Sequence, residues 1–425
     1  MKLLRPCIII LLSLLFPLAA SAADITGRSR TYVLTRETLD SKHLMPAYEY
    51  LDFRAESSEA GTVSFNFGGW YRYDLQEESF NGRSNDDLQY AYLSFRRKTG
   101  NALLNIGRFR VHEGVASELV DGAYGRTDLM GGFSVAAYGG SPVETMIDTR
   151  RGDSIYGGRF SHGIPGIYSL GISYLDEKNN NTALRREEGA DIWLRPFSKL
   201  ELQGSSSYNA ISRHWMLHSY YLTIGPFANF RLIGEASQVN YKDYFAVTTL
   251  SAFTFPNIDP DETVTTGGGS LEYAVTSSLT AIIDYKLFNY KIAGNADYYG
   301  GKIAYAGSSF GVGGSVHRMN GETDRLRYDE QSLYISKTIS KADISLQGIH
   351  VGYVQEINGV KNAYNVSAAG GYSFTPKARL VADVEYSQNP DFNSDVRGML
   401  TFVYRFDAKF EQQQTQTKKA GSKKS

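Results

Sequence analysis

Residues 397–410, RGMLTFVYRFDAKF, constrain this chain more than any other stretch. Leu400, Phe402, Tyr404 and Phe406 fall on one face, and Met399, Thr401, Val403 and Arg405 on the other. A period of two over this length belongs to a strand, because successive side chains of a strand point to opposite faces. The same alternation recurs throughout. Val63, Phe65, Phe67 and Tyr71 alternate with Ser64, Asn66, Trp70 and Arg72. Ala281, Ile283, Tyr285 and Leu287 alternate with Thr280, Asp284 and Lys286. Ala378, Leu380, Ala382 and Val384 alternate with Asp383 and Glu385. One face of each such strand suits hydrocarbon and the other suits water. No long stretch has the 3.6-residue period of an amphipathic helix.

Turn signals divide these strands. Short ones fall at 58–61, 97–100, 163–166, 196–199, 225–228, 275–278, 306–309, 338–341 and 375–377. Longer polar stretches fall at 75–87, 177–187, 241–264, 319–328 and 387–395. Long and short connections on opposite ends are the pattern of a membrane barrel. A soluble sandwich needs a second large sheet to bury such continuous apolar faces, and a solenoid needs a fixed-period repeat, of which there is none.

With its aromatic-rich face near the C-terminus, stretch 397–410 resembles the closing strand of Gram-negative outer-membrane barrels of the porin-like type, with Phe410 in the place of the terminal aromatic. The resemblance implies an all-β fold: a transmembrane antiparallel up-and-down β-barrel of about 20 strands (18–22) with the C-terminus periplasmic. Strand parity places a first upward strand at 28–35. Residues 112–153 must then hold either no strand or two, and the second case, with strands at 133–138 and 143–148, gives about 22.

The N-terminus reads as a secretory signal. Lys2 and Arg5 precede an apolar run at 8–18, and Ala20-Ser21-Ala22 fits a cleavage site, so residues 1–22 are expected to be removed. The barrel is expected over 23–410 and a disordered, polar and basic periplasmic tail over 411–425. The single cysteine, Cys7, lies inside the signal, which leaves no thiol for a disulfide, a metal or a haem. No cofactor is expected. Mean hydropathy is only -0.32, yet 30 Tyr, 22 Phe and 42 Gly suit a barrel wall whose two faces average out. Basic and acidic residues nearly balance, 44 against 45, which argues against a nucleic-acid partner.

Function is expected in the lumen. By alternation Arg54, Arg72, Asp74, Arg96, Arg231, Glu235, Asp284, Lys286, Lys302 and Arg405 line the pore. Their mixed signs suit a wall braced by ion pairs, since charges turned inward need water or partners. The glycine-rich stretch 112–148 is too long for a turn. If it folds inward, Asp121, Arg126 and Asp128 form a constriction; the alternative is an external loop with an ordinary hairpin. His214 and His218, four apart on a strand, are separated by about 13 Å, too far for one metal ion. No G-x-S-x-G elbow and no Ser-His set stands out from spacing, so no catalytic residue is assigned and the chain is not expected to be an enzyme.

The expected function is a porin-like outer-membrane channel for passive diffusion of small hydrophilic solutes or ions. In size and pattern the chain is also similar to the barrel parts of porin–cytochrome conduits, which implies a structural sheath around a multihaem cytochrome as the alternative. The expected partners are outer-membrane lipid and small solutes, with a cytochrome or self-association as further possibilities.

Overall fold

The computed structural model describes residues 23–37, 42–57, 62–79, 82–143, 153–248, 259 and 261–409. The signal at 1–22, Phe410 and the tail at 411–425 lie outside the described residues.

Almost every described segment is a strand. The first are β1 (Ala23–Glu37), β2 (His43–Leu44), β3 (Pro46–Ser57), β4 (Val63–Asp74), β5 (Ser84–Arg96), β6 (Leu103–Glu113), β7 (Ala116–Asp128) and β8 (Phe133–Pro142). Next come β9 (Ser154–Ile164), β10 (Tyr168–Asn179), β11 (Thr182–Phe197), β12 (Leu200–Asn209), β13 (His214–Phe227) and β14 (Phe230–Asn240). After the short helix α1 (Tyr241–Thr248) follow β15 (Thr263–Ala274), β16 (Leu279–Tyr290), β17 (Gly294–Ala306), β18 (Phe310–Gly321) and β19 (Arg327–Ile339). The last are β20 (Ala342–Ile357), β21 (Val360–Ser373), β22 (Ala378–Asn389) and β23 (Phe392–Lys409).

Each long strand pairs antiparallel with the next, and β23 returns to β1 from Asp24↔Lys409 to Thr35↔Gly398. The result is a closed barrel of 22 strands, with the two-residue β2 added outside it against the end of β1. Closure removes every edge but one partial one, described below. β1 begins and β23 ends at the same end of the barrel, here the near end. Connections there are uniformly short. At the far end they range from two residues, such as Asn180 and Asn181 with φ of 48° and 63°, to the segment carrying α1. The polar stretch 177–187, read from sequence as a loop, is therefore mostly strand. Paired Asn residues tolerate the left-handed backbone of a tight hairpin turn and let the strands run on to it.

The alternation holds in space. Leu400, Phe402 and Tyr404 stand 44%, 38% and 44% exposed on the outer face, whereas Thr401 between them is buried inward. Ile283, Leu333, Val316 and Ile172 are likewise apolar and exposed outward. A continuous apolar outer face is stable against hydrocarbon and costly against water. Twenty-two strands about 4.8 Å apart and tilted by about 40° enclose a ring about 44 Å across, too wide for side chains alone to fill.

Candidate functional site: an inward-folded hairpin and a charged lumen

The stretch 112–153 contains two strands, the second of the two cases that parity allowed; β8 takes in the expected 133–138, but its partner is β7 at Ala116–Asp128, and the expected strand at 143–148 lies almost wholly outside the described residues. β7 pairs with β6 from Leu103↔Arg126 to Glu113↔Ala116, and with β8 from Asp128↔Ser134 to Val120↔Pro142. The pairing of β6 with β5, however, covers only Leu103–Arg108 against Ala91–Arg96. Beyond Arg108, β6 leaves the wall. Gly107 sits at the departure point with φ of +129°, a conformation that residues with a Cβ rarely adopt. Gly122, opposite it in the register, packs so closely on the Gly139 backbone that a Cβ has no room.

The far halves of β6 and β7 bend into the lumen as a hairpin and lie over the inner faces of β8–β11. Phe109, Val111, Ala116 and Val120 of the hairpin pack against Tyr138, Ile155 and Leu175 of the wall, with Val120 and Leu175 fully buried. Each such side chain stabilises the folded-in arrangement by about 1.5–3 kcal/mol relative to exposure. Polar contacts fix the tip. The Val115 N–H donates to Ser173 Oγ at 3.1 Å. Arg185 of β11 donates to Glu118 of β7, to Glu187 of its own strand and, at 3.5 Å, to the Val115 carbonyl oxygen. Beside these, Tyr124 Oη donates to Glu113 Oε1 at 2.6 Å, Arg126 lies 3.7 Å from the same carboxylate, and Arg159 holds Asp191 at 2.6 Å.

This placement corrects the expected constriction in detail. A segment does fold inward, but its core is residues 109–120, and Asp121, Arg126 and Asp128 occupy three different environments. Asp121 is on the opposite face of β7 from Val120. Arg108 grips it there at 2.7 and 3.0 Å while donating to the Leu88 carbonyl at the free edge of β5. Arg126 faces the lumen beside Glu113. Asp128 closes β7 at the near end, where Ser134 Oγ donates to it at 2.6 Å. The charged and hydroxyl groups gathered around the hairpin are Glu113, Glu118, Tyr124, Arg126, Arg159, Arg185 and Glu187, of which only Arg126 was read from sequence. The signal was present: Phe109, Val111, Val120, Ile155 and Leu175 are apolar at positions whose parity points into the lumen.

The ten residues assigned to the pore wall by alternation divide by partner. Arg54 pairs with Glu56 and Lys286 with Glu235. Arg72 lies 3.5 Å from the buried Asp74, which also accepts from the Ser79 N–H, and Arg231 lies 3.2 Å from Glu272. Asp284 holds His317 at 3.0 Å, and His317 stacks on Tyr298. Lys302 sits 5.7 Å above the Tyr334 ring. Arg96 and Arg405 have no ion-pair partner among the described residues. Lumen recesses of about 460 and 490 Å³ lie along β14–β20 and β19–β22, the second lined by Asp383 and Glu385. The acidic stretch 259–262 serves the far-end loops: the Glu262 carboxylate accepts the backbone N–H groups of Ile292 and Ala293 at 3.0 Å.

No family model matches the chain, and no curated protein matches its sequence. Among solved structures it is similar to Acinetobacter baumannii OccAB3, at 11% identity over 92% of this chain and 100% of that one, with a TM-score of 0.45. It is similar to Pseudomonas aeruginosa OccK2 (OpdF) in complex with glucuronate, at 11% identity over 91% and 98%, TM-score 0.43. It is also similar to the P pilus usher (PapC) translocation pore, at 12% identity over 90% and 99%, TM-score 0.45. Likeness at this level assigns no function. The strand pairing itself, closed and antiparallel, apolar outside and charged within, makes this chain a porin-like β-barrel of the outer-membrane type.

Proposed function

We propose that this chain is a porin-like channel of the Gram-negative outer membrane that passes small hydrophilic solutes or ions by passive diffusion. The observation that carries this reading is a wide, closed wall whose inward charges stay partly exposed around a hairpin that narrows the bore. Arg126, Arg231 and Lys286 are each paired with a carboxylate yet remain partly exposed, as charges beside a water-filled bore do. On this reading the near end is periplasmic, residues 1–22 are removed on export, and 411–425 are a solvated periplasmic tail. A sheath around a cytochrome needs a clear bore, and the hairpin of β6 and β7, packed on the inner faces of β8–β11, takes up part of it.

The test is conductance of the purified barrel in a planar bilayer. Stepwise currents in KCl support the proposal; silent insertion, verified by the slower gel migration of the boiled sample, overturns it.

A further inference from the structure

Near the periplasmic mouth three arginines share one recess of about 280 Å³, together with Asn66 and Tyr90. Arg28 of β1 and Arg405 of β23 are register partners, directly opposite each other on the lumen face. Like charges so placed repel, and a wall braced only by ion pairs has no reason to set them there. On the other side of β1, Arg54 of β3 is two positions from Asp52, the register partner of Arg28, which puts it diagonally next to Arg28. Carboxylates offset this charge only in part. Arg28 reaches both oxygens of Asp52, at 2.9 and 2.8 Å, through Nε alone. Arg54 likewise uses Nε on Glu56. Asp52 is shared with Arg30 at 3.3 Å, and Arg405 has no carboxylate within ion-pair range among the described residues. Three arginines and one shared carboxylate, Asp52, therefore line one small cavity, and the printed contacts of Arg28 and Arg54 with carboxylates run through Nε. Tyr90, packed over Gly68, supplies an aromatic side and a hydroxyl, and Asn66 an amide.

We infer that this recess is a binding site for small organic dianions, with a four-carbon dicarboxylate as the fitting class. Guanidinium forks bind planar carboxylates through two parallel hydrogen bonds, with geometry that a lysine does not reproduce. Four arginines, Arg30 included, stand against the carboxylates of Asp52 and Glu56, so a ligand with two negative charges restores neutrality where one charge does not. The site lies beyond the hairpin for a solute entering from outside, and so forms its last contact before release. The inference rests on the channel reading and names the solute class for it.

The test is calorimetric titration of the full chain in detergent with succinate, acetate and 1,4-diaminobutane, beside bilayer conductance in KCl alone. Succinate is expected to bind, with acetate at least tenfold weaker and the diamine silent. Arg405→Gln and Arg54→Gln are each expected to weaken succinate at least tenfold, while Lys337→Gln on the outer face leaves it unchanged. If Arg405→Gln does not assemble, Arg54→Gln, away from the closing strand, decides. Parent-like succinate affinity in Arg54→Gln, acetate binding as tightly as succinate, or no binding to the parent overturns the site. Conduction without succinate binding overturns the site and leaves the channel; succinate binding without conduction does the reverse.

Discussion

The carboxylate of Glu118 on β7 and the guanidinium of Arg185 on β11 meet inside the barrel, although three strands of wall separate β7 from β11. Only a hairpin leaning over the inner face of β8–β10 brings them together. Arg185 is nearly buried and also neutralises Glu187, which has almost no exposure of its own. Removing one partner of a buried pair costs about 3–5 kcal/mol, because the other charge is left without its counter-ion. In Arg185→Ala the hairpin tip is therefore expected to loosen while the barrel stays closed. Single-channel conductance should rise and become noisier, and hydrogen exchange at Val115 should quicken about a hundredfold or more. Unchanged exchange at the tip would show that the apolar cluster alone holds it.

Gly107 gives a second handle on the same bend. A β-branched residue at its φ of +129° carries backbone strain of about 1–3 kcal/mol, and its Cβ meets the Ala91 carbonyl. Gly107→Val is expected to disfavour the departure of β6 from β5, lower the urea midpoint and expose the tip to protease. Gly267→Ala, where no atom lies within 4 Å, should be close to neutral in the same assays.

Ile282 and Ile283 are neighbours in sequence with opposite surroundings. Ile283 is 62% exposed on the outer face, and Ile282 lines the lumen recess with Glu272 and Asp284. Arginine at position 283 is expected to cost about 2–4 kcal/mol of folding free energy in lipid vesicles, and arginine at 282 much less. Equal costs would mean that the two faces are assigned wrongly.

Asp383 and Glu385 line one recess, while the nearby cations are engaged elsewhere: Arg379 with Asp343 and Arg397 with Asp395. Their joint neutralisation, Asp383→Asn with Glu385→Gln, is expected to move the reversal potential in a KCl gradient toward chloride, since charges on a low-dielectric wall set the local potential. No shift would place the selective charges at the hairpin instead.

The faces of this barrel were legible because alternation is a local property. Phe402 and Arg405 disclose their sides within one short stretch, and parity left 22 strands as one of two counts. The inward hairpin was not legible in the same way. Its contacts join residues far apart in sequence, 58 positions for Val115 with Ser173 and 67 for Glu118 with Arg185. Its bend depends on a positive φ at one glycine among many. What the sequence did contain was a lapse in the rule: Phe109, Val111 and Val120 are apolar where a wall strand facing water calls for polar residues. Read as a rule-breaking cluster, they point to something covering the wall from inside. The recess of Arg28, Arg54 and Arg405 was half legible. Alternation named Arg54 and Arg405 as lumen residues, but their proximity to Arg28 follows from the register of β1 between β23 and β3, which only closure defines.

That closure also sets an order of events. Hairpins such as β16 with β17 need only neighbouring residues and can form as soon as both strands exist. The seam of β1 with β23 joins Asp24 to Lys409, nearly the whole length of the chain, and runs for twelve residue pairs. Until β23 is delivered, β1 presents a long unpaired edge, the kind of template on which wrong partners assemble. The chain must therefore be kept from other strands until its last one arrives, and its release as a finished ring is a single event.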